Sequence, residues 1–174
     1  GQELIRRSKK KVTPLWSTQM LLDEPECIAN LHYEYIQAGA DIITLSSYTC
    51  TPQRLARDAD PALFATLQQR AITVAQQARD KAVKQLGRQV RIAGCLPPLV
   101  ASYRADTSPS FEQSLTSYNA IVAEQMQGVD LFLCETMPSI QDATAAATTA
   151  LASNKETWVA FTLKDDENVA QLRS

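Results

Sequence analysis

Four short and almost uninterrupted apolar segments, separated by long stretches with helical periodicity, constrain the fold of this chain more than any other feature. The segments are Asp41–Ser46, Val90–Cys95, Asp130–Glu135 and Thr157–Leu163. Strands that are covered on both faces, as parallel strands are, show continuous apolar runs rather than strict alternation. We therefore expect four buried strands in a parallel sheet.

A predicted helix precedes each predicted strand, and local signals mark where the helices begin. Pro25 opens the first helix, and Asp60 with Pro61 opens the second as an N-cap and N1 pair. Ser110 opens the third with a capping box, and Ser139 opens an alanine-rich fourth that runs to about Ala152. This alternation of helix and strand predicts right-handed crossovers between parallel strands.

Apolar residues recur at helical spacing in the first three of these helices, which predicts one buried face for each. The stripes are Ile28, Leu31 and Tyr35; Phe64, Leu67, Ala71, Val74 and Ala78; and Phe111, Leu115, Tyr118, Val122 and Met126. Two helix-to-strand joints also resemble each other, at residues 39–42 and 128–131. Because glycine tolerates the left-handed conformation, we expect Gly39 and Gly128 to end their helices in that way.

A β/α barrel and an open doubly wound sheet share this alternation. The chain has neither a Gly-x-Gly-x-x-Gly motif nor a phosphate-binding loop motif, which argues against a nucleotide site and favours the barrel. A complete TIM barrel takes about 250 residues, whereas this chain has 174. We therefore predict an α/β fold of the (β/α)8 TIM-barrel type that is incomplete in this chain, with residues 1–174 forming one partial domain.

Glu135 is the sharpest candidate for a functional residue. Ligands of parallel barrels bind at the carboxyl ends of the strands, and Glu135 follows a run of four apolar residues, 131–134, at such an end. A carboxylate in that setting must be paired, protonated or bound to a ligand. Three roles for Glu135 remain open: it could bind a substrate ammonium group, act as a general base or form an internal salt bridge.

The other reactive side chains are more easily explained as structural. The four cysteines are scattered without a Cys-x-x-Cys pair, which is typical of reduced thiols in a cytosolic protein. Cys95 and Cys134 are thus expected to be small core residues rather than nucleophiles or metal ligands. His32, the only histidine, lies within a predicted helix and is expected to pack there. The acidic run Asp165, Asp166 and Glu167 is expected to be a solvated loop.

Charge and hydropathy exclude several classes of partner. A net charge of −2 and a pI of about 5.4 do not indicate a nucleic-acid partner. The one basic cluster is expected to be an exposed segment; it comprises Arg6, Arg7, Lys9, Lys10 and Lys11. No apolar run approaches the roughly 20 residues of a membrane helix, and no signal peptide is visible, so we expect a cytoplasmic protein without a membrane partner.

At these same residues the chain resembles the homocysteine S-methyltransferase family. The matching stretches follow the family's order over nearly the whole chain: residues 1–4, 14–17, 32–35, 38–44, 93–96 and 129–139. The Ala-Gly-Ala-Asp-Ile-Ile-Thr segment at 38–44 and the Cys-Glu-Thr-Met-Pro segment at 134–138 weigh most.

The resemblance implies a TIM barrel that transfers a methyl group to the thiolate of homocysteine and forms methionine. Glu135 would bind the amino group of homocysteine, and the other substrate-binding candidates at the strand ends are Thr136, Ser46, Ser47 and Cys95. The family uses zinc held by three cysteines to lower the pKa of the substrate thiol. None of the four cysteines here matches those positions, so we assign no metal ligand and no catalytic residue in this chain.

This sequence departs from the family pattern in three ways. The first strand and the C-terminal strands of the barrel are expected to be missing, so we expect the 174-residue chain alone to be inactive. Residues 45–48 read Leu-Ser-Ser-Tyr and residues 94–98 read Gly-Cys-Leu-Pro-Pro, where the family usually has Thr-Asn-Ser/Thr-Tyr and Gly-Ser-Leu-Gly-Pro. Both changes fall on the pocket rim and leave the methyl donor open: S-methylmethionine, S-adenosylmethionine, a folate or a betaine.

Two other interpretations remain. The chain could be part of another β/α-barrel enzyme of the lyase or aldolase type, using Glu135 and Lys164. It could also be a non-catalytic half-barrel that assembles with a partner, or with itself, through exposed strand edges.

Overall fold

A parallel sheet of four strands that follow one another in the chain is the framework of this computed structural model, which describes residues 1–11 and 13–163. Its elements are α1 (Gln2–Arg7), α2 (Met20–Asp23), α3 (Pro25–Gln37), β1 (Ile42–Thr44), α4 (Pro52–Asp58), α5 (Phe64–Leu86), β2 (Arg91–Leu96), α6 (Phe111–Gln125), β3 (Leu131–Met137), α7 (Ile140–Leu151) and β4 (Glu156–Phe161). Each predicted strand is present, with its ends within about three residues of those expected.

The order of the strands separates the two candidate architectures. The strands pair as β1-β2-β3-β4, all parallel, without the reversal of strand order that a doubly wound sheet requires. The helices between them pack against one another in sequence, α3 on α5, α5 on α6 and α6 on α7. This is the arrangement of successive β/α units in a barrel, so the predicted fold class, a partial TIM-type barrel, is confirmed.

The predicted helix starts are confirmed by their hydrogen bonds. Ser110 forms the complete capping box with Gln113, and the Ser139 hydroxyl accepts from the Asp142 amide at 3.1 Å. Asp60 caps a short 3-10 turn that leads directly into α5. Helices α1, α2 and α4 were not predicted, because each is too short to show helical periodicity.

Two expectations about burial are wrong. Tyr35 was placed on the buried stripe of α3, but it is 53% exposed, because its ring lies at the rim of a cavity instead of under the sheet. The strand β4 was expected to be covered on both faces, but Trp158, Val159 and Phe161 are 41–42% exposed. Among the described residues, β4 has a neighbouring strand on one side only, which explains the exposure.

The two glycine joints are alike in sequence but differ in structure. Gly39 ends α3 with a φ of +111°, as predicted. Gly128 is not left-handed; an added Cβ there would lie 2.4 Å from the Ile72 side chain, so glycine is required by the close approach of α5. The expectation of a left-handed Gly128 is therefore wrong, and close packing rather than backbone conformation accounts for it.

Candidate functional site

A cavity of about 620 Å³ opens at the carboxyl ends of β1 and β3, where the barrel fold predicts a ligand site. Glu135 and Thr136 line it from β3, and Ser46 and Tyr48 line it from the segment after β1. Helix α3 contributes His32. Three of the five predicted substrate-binding residues, Glu135, Thr136 and Ser46, are thus brought together around one cavity.

A β-bulge brings both Glu135 and Thr136 to the cavity. Cys134 pairs with Val159 and Met137 with Phe161, so β3 carries one more residue than β4 over this interval. In a regular strand, consecutive side chains point to opposite faces. The extra residue interrupts that alternation, and bulges next to ligand sites re-aim side chains in this way.

Backbone strain is concentrated at the same cavity. Four non-glycine residues in the described part of the chain have a positive φ, and three of them line the cavity: Trp16 at 51°, Tyr103 at 63° and Thr136 at 60°. A β-branched residue such as threonine is rarely found in this region. Strained conformations persist only where the surroundings enforce them, and they cluster at ligand sites.

Glu135 is a largely buried carboxylate with one neutral donor. The Cys95 thiol donates to its Oε1 at 3.1 Å. None of the ion pairs among residues 1–11 and 13–163 includes Glu135. Burial raises the pKa of Glu135 above its ordinary value, although the thiol hydrogen bond and the charge of the Gly1 amino group partly oppose that rise. A cationic ligand would remove this electrostatic penalty.

Ser47 and Cys95 lie beneath the cavity wall rather than on it. Each is 1% exposed, and neither lines the cavity. Cys95 reaches Glu135 from below, while the Ser47 hydroxyl is 3.4 Å from the side-chain amide of Gln125. Direct substrate contact by these two residues stays a prediction, and their placement favours a supporting role.

His32 belongs to the cavity as well, which sequence reasoning assigned only to packing. Its Nε2 is 3.3 Å from Ser46 Oγ, and the ring is almost fully buried. Burial lowers the pKa of His32 to about 4, so the ring is neutral near pH 7 and can exchange a hydrogen bond with Ser46. His32 and Tyr35 are three residues apart on α3 and both line the cavity, but the sequence indicated only a packed face for this helix.

The buried neutral state of His32 predicts that the fold loses stability in acid. The pKa is about 4 in the folded chain and 6.5 ordinarily, so the unfolded chain takes up a proton that the folded chain does not. This contribution is fully present above pH 6.5 and falls as the pH drops toward 4, by about 3 kcal/mol. Urea unfolding of the wild type and of His32→Gln across this range should show a shallower acid slope for the variant. An NMR titration of the His32 ring with a midpoint near 6.5 would contradict the prediction.

An aromatic wall was also missed by sequence reasoning. Trp16, Tyr35, Tyr48 and Tyr103 all line the cavity, and they come from separate segments of the chain. The Tyr48 hydroxyl is fixed by a 2.8 Å hydrogen bond to the Ser102 hydroxyl. Only Tyr48 lay in a strand-end segment that the sequence singled out, so the fold was needed to assemble the wall.

The cysteines do not fit the zinc site that the family resemblance implies. All four are free thiols, and three of them, Cys50, Cys95 and Cys134, are buried. Burial raises the pKa of Cys50 and of Cys134 to about 12 and that of Cys95 well above its usual range, which keeps them protonated. Within the described ranges, no group of three or more His, Cys, Asp or Glu side chains is arranged to hold a metal ion.

Two remaining expectations concern other parts of the chain. Lys164 and the acidic run Asp165, Asp166 and Glu167 lie outside the described residues. In the described part of the chain, every helix is too short or too polar to cross a lipid bilayer.

A family model described as homocysteine S-methyltransferase matches residues 1–174. The homocysteine S-methyltransferase of Escherichia coli (strain K12) is 30% identical over 180 residues, which cover 97% of this chain and 58% of that protein. The selenocysteine methyltransferase of Astragalus bisulcatus is 32% identical over 196 residues, with the same two coverages. The chain therefore spans a little over half the length of these curated relatives.

Solved structures give the same result at the level of the fold. The homocysteine methyltransferase MmuM from Escherichia coli, in its metallated form, superposes with a TM-score of 0.83 at 29% identity, covering 94% of this chain and 61% of that one. Its oxidized form superposes with a TM-score of 0.84 at 28% identity, covering 99% and 63%.

Proposed function

The chain belongs to the homocysteine S-methyltransferase family, and on that premise we propose that it forms part of the substrate-binding barrel of an enzyme that methylates the homocysteine thiolate to methionine. We place that enzyme in the cytoplasm and in methionine biosynthesis. The relatives' names support the reaction class, and one is named for selenocysteine, which indicates a site built for an amino acid with a sulfur or selenium nucleophile.

Glu135 is the observation that carries this proposal. It is a largely buried carboxylate at the cavity, and it has no ion-pair partner among the described residues although burial disfavours its charge. The ammonium group of an amino acid supplies the missing charge. Ser46 and Thr136 line the same cavity and offer hydroxyl groups for the other polar atoms of the ligand.

Holding the ammonium group at Glu135 fixes the rest of homocysteine. With one end of a short chain anchored, the thiol is restricted to a small volume of the cavity. Restriction of this kind lowers the barrier to transfer because the reacting atoms no longer have to find each other. In such an enzyme zinc would supply the thiolate, and the described residues offer no site for it.

The aromatic wall supports a positively charged methyl donor. Trp16, Tyr48 and Tyr103 line the cavity together with Tyr35, and aromatic faces attract methylated sulfonium and ammonium groups. Among the donors left open by the sequence, this favours S-methylmethionine, S-adenosylmethionine or a betaine over a folate.

The exposed strand β4 supports a second candidate, self-association. Trp158, Val159 and Phe161 are each more than 40% exposed on β4, which has one neighbouring strand within the described ranges. Exposed apolar edges promote pairing between chains. Sedimentation of the 174-residue chain as a monomer at high concentration would exclude this candidate without affecting the substrate proposal.

Binding of two ligands that differ only in the amino group tests the substrate proposal. Isothermal titration calorimetry should detect L-homocysteine and show 4-mercaptobutyrate, which lacks the amino group, binding about 30-fold more weakly, or by about 2 kcal/mol. Equal affinities would exclude an ammonium clamp. A lyase or aldolase of the same fold would instead show no preference for homocysteine.

A further inference from the structure

We infer that Cys95 is a positioning residue, which holds the Glu135 carboxylate in the orientation that the ligand ammonium group requires. This inference rests on the proposed function and deepens it. Cys95 lies on β2, one strand away from Glu135 on β3, and its thiol donates to Glu135 Oε1 at 3.1 Å. Because Cys95 is not on the cavity wall, it acts on a ligand only through Glu135.

The Gln125 side chain forms hydrogen bonds with both the amide and the carbonyl of Cys95. Its Oε1 accepts from the Cys95 amide at 2.9 Å, and its Nε2 donates to the Cys95 carbonyl at 3.2 Å. Gln125 is in turn fixed by a 2.8 Å hydrogen bond to Gln68 Oε1, and Gln68 donates to the Cys50 carbonyl at 2.9 Å. Gln68 and Gln125 are both completely buried.

This arrangement exists because β1 is short. The Arg91 amide and the Ala93 carbonyl of β2 bond to the β1 side, at Asp41 and Leu45. Cys95 is the next residue in that series, but β1 ends at Thr44. Gln125 therefore replaces the missing strand and fixes the Cys95 backbone, so the thiol has a defined direction toward Glu135.

The thiol is suited to this role because it remains a donor. Burial, together with the nearby charge of Glu135, raises the pKa of Cys95 and keeps its proton in place. The thiol occupies one carboxylate oxygen, Oε1. The other oxygen, Oε2, accepts no hydrogen bond from the residues that the structure describes and is available to the ligand.

Several titratable groups surround Glu135 and must be separated in any test. The amino group of Gly1 and the Tyr48 hydroxyl both interact with its charge. His32 lines the same cavity from α3. Acetylating Gly1 removes the amino charge, and comparing variants that differ only at position 95 keeps the other groups constant.

The test measures the pKa of the Glu135 side chain directly in Cys95→Ala and Cys95→Ser. The method is NMR of chains that carry 13C-labelled glutamate and are acetylated at Gly1. Cys134→Ala is the matched control, since it truncates a buried thiol on β3 that makes no hydrogen bond to Glu135. We expect Cys95→Ala to raise the Glu135 pKa, because the hydrogen bond lowers it, and to weaken homocysteine binding about three- to tenfold. The acid limb of binding should move to higher pH in the same variant, and Cys95→Ser should restore most of both effects.

If the wild-type chain binds homocysteine, three results would overturn the inference: a Glu135 pKa in Cys95→Ala that matches Cys134→Ala, a raised Glu135 pKa without weaker homocysteine binding, or no recovery in Cys95→Ser. A purely structural role for Cys95 predicts equal effects of both alanine variants on binding. If the wild-type chain binds no homocysteine while Cys95→Ala still raises the pKa, the proposed function fails and the positioning contact stands.

Discussion

Replacing Glu135 by glutamine should weaken L-homocysteine binding by about 30- to 1000-fold, which corresponds to about 2–4 kcal/mol. Glutamine keeps the shape of the side chain but removes the charge. A ligand ammonium group would then lose its hydrating water without gaining a counter-charge. Among the described residues that line the cavity, Glu135 alone carries a carboxylate. Calorimetric titration of the wild type and Glu135→Gln measures the loss.

The same substitution should leave the fold intact or stabilise it. Burial raises the Glu135 pKa, so the folded state disfavours the charged carboxylate, and removing that charge relieves the penalty. Opposite effects on binding and stability are typical of a residue retained for a ligand. Glu34→Gln is the control, because Glu34 is exposed and paired with Arg7, away from the cavity. Equal loss of binding in both variants, or a strongly destabilised Glu135→Gln, would contradict the ammonium clamp.

Much of the architecture could be predicted because it rests on local patterns. Continuous apolar runs located the strands, and Ser110 and Ser139 marked helix starts through hydrogen bonds to residues three places along the chain. Glu135 could be singled out because a charged residue after an apolar run conflicts with burial. These signals need only neighbours in sequence.

The parts of the site that could not be predicted depend on contacts between distant residues. The bulge at Glu135 and Thr136 is defined by the register of β3 against β4, which no local pattern encodes. No local pattern singles out Gln125 at the end of α6, and only the early end of β1 gives its side chain a buried partner in Cys95. Long-range polar contacts of this kind are invisible to periodicity.

The exposure of β4 has a related explanation. Its composition correctly predicted a strand, and apolar composition alone predicted two covered faces. Coverage, however, is a property of the neighbouring elements, and the described residues place a strand on one side only. Composition therefore located the strand but did not determine its burial.

Replacing Gly94 by alanine should destabilise the fold by about 3–5 kcal/mol, a large part of the 5–15 kcal/mol typical of a domain. A Cβ at Gly94 would lie 2.5 Å from Phe132 Cδ1 and 2.7 Å from Gln125 Oε1. Phe132 is fully buried and cannot move aside without cost. Displacement of Gln125 would also leave the Cys95 amide without its 2.9 Å partner. Urea unfolding followed by circular dichroism measures the loss.

Gly87→Ala separates this crowding from the general cost of replacing a glycine. Gly87 has a φ of +64°, but an added Cβ would meet no atom within 4 Å, so we expect a loss of about 1 kcal/mol from backbone strain alone. Combining Gly94→Ala with Phe132→Leu should cost less than the sum of the two single changes, since the ring no longer occupies the space that the new methyl group needs. Equal losses at positions 94 and 87, or strict additivity with Phe132→Leu, would show that Phe132 and Gln125 do not enclose Gly94 as described. A Gly94→Ala chain that folds should also bind homocysteine more weakly. The new methyl group displaces Gln125, and Gln125 is the side chain that holds Cys95 against Glu135.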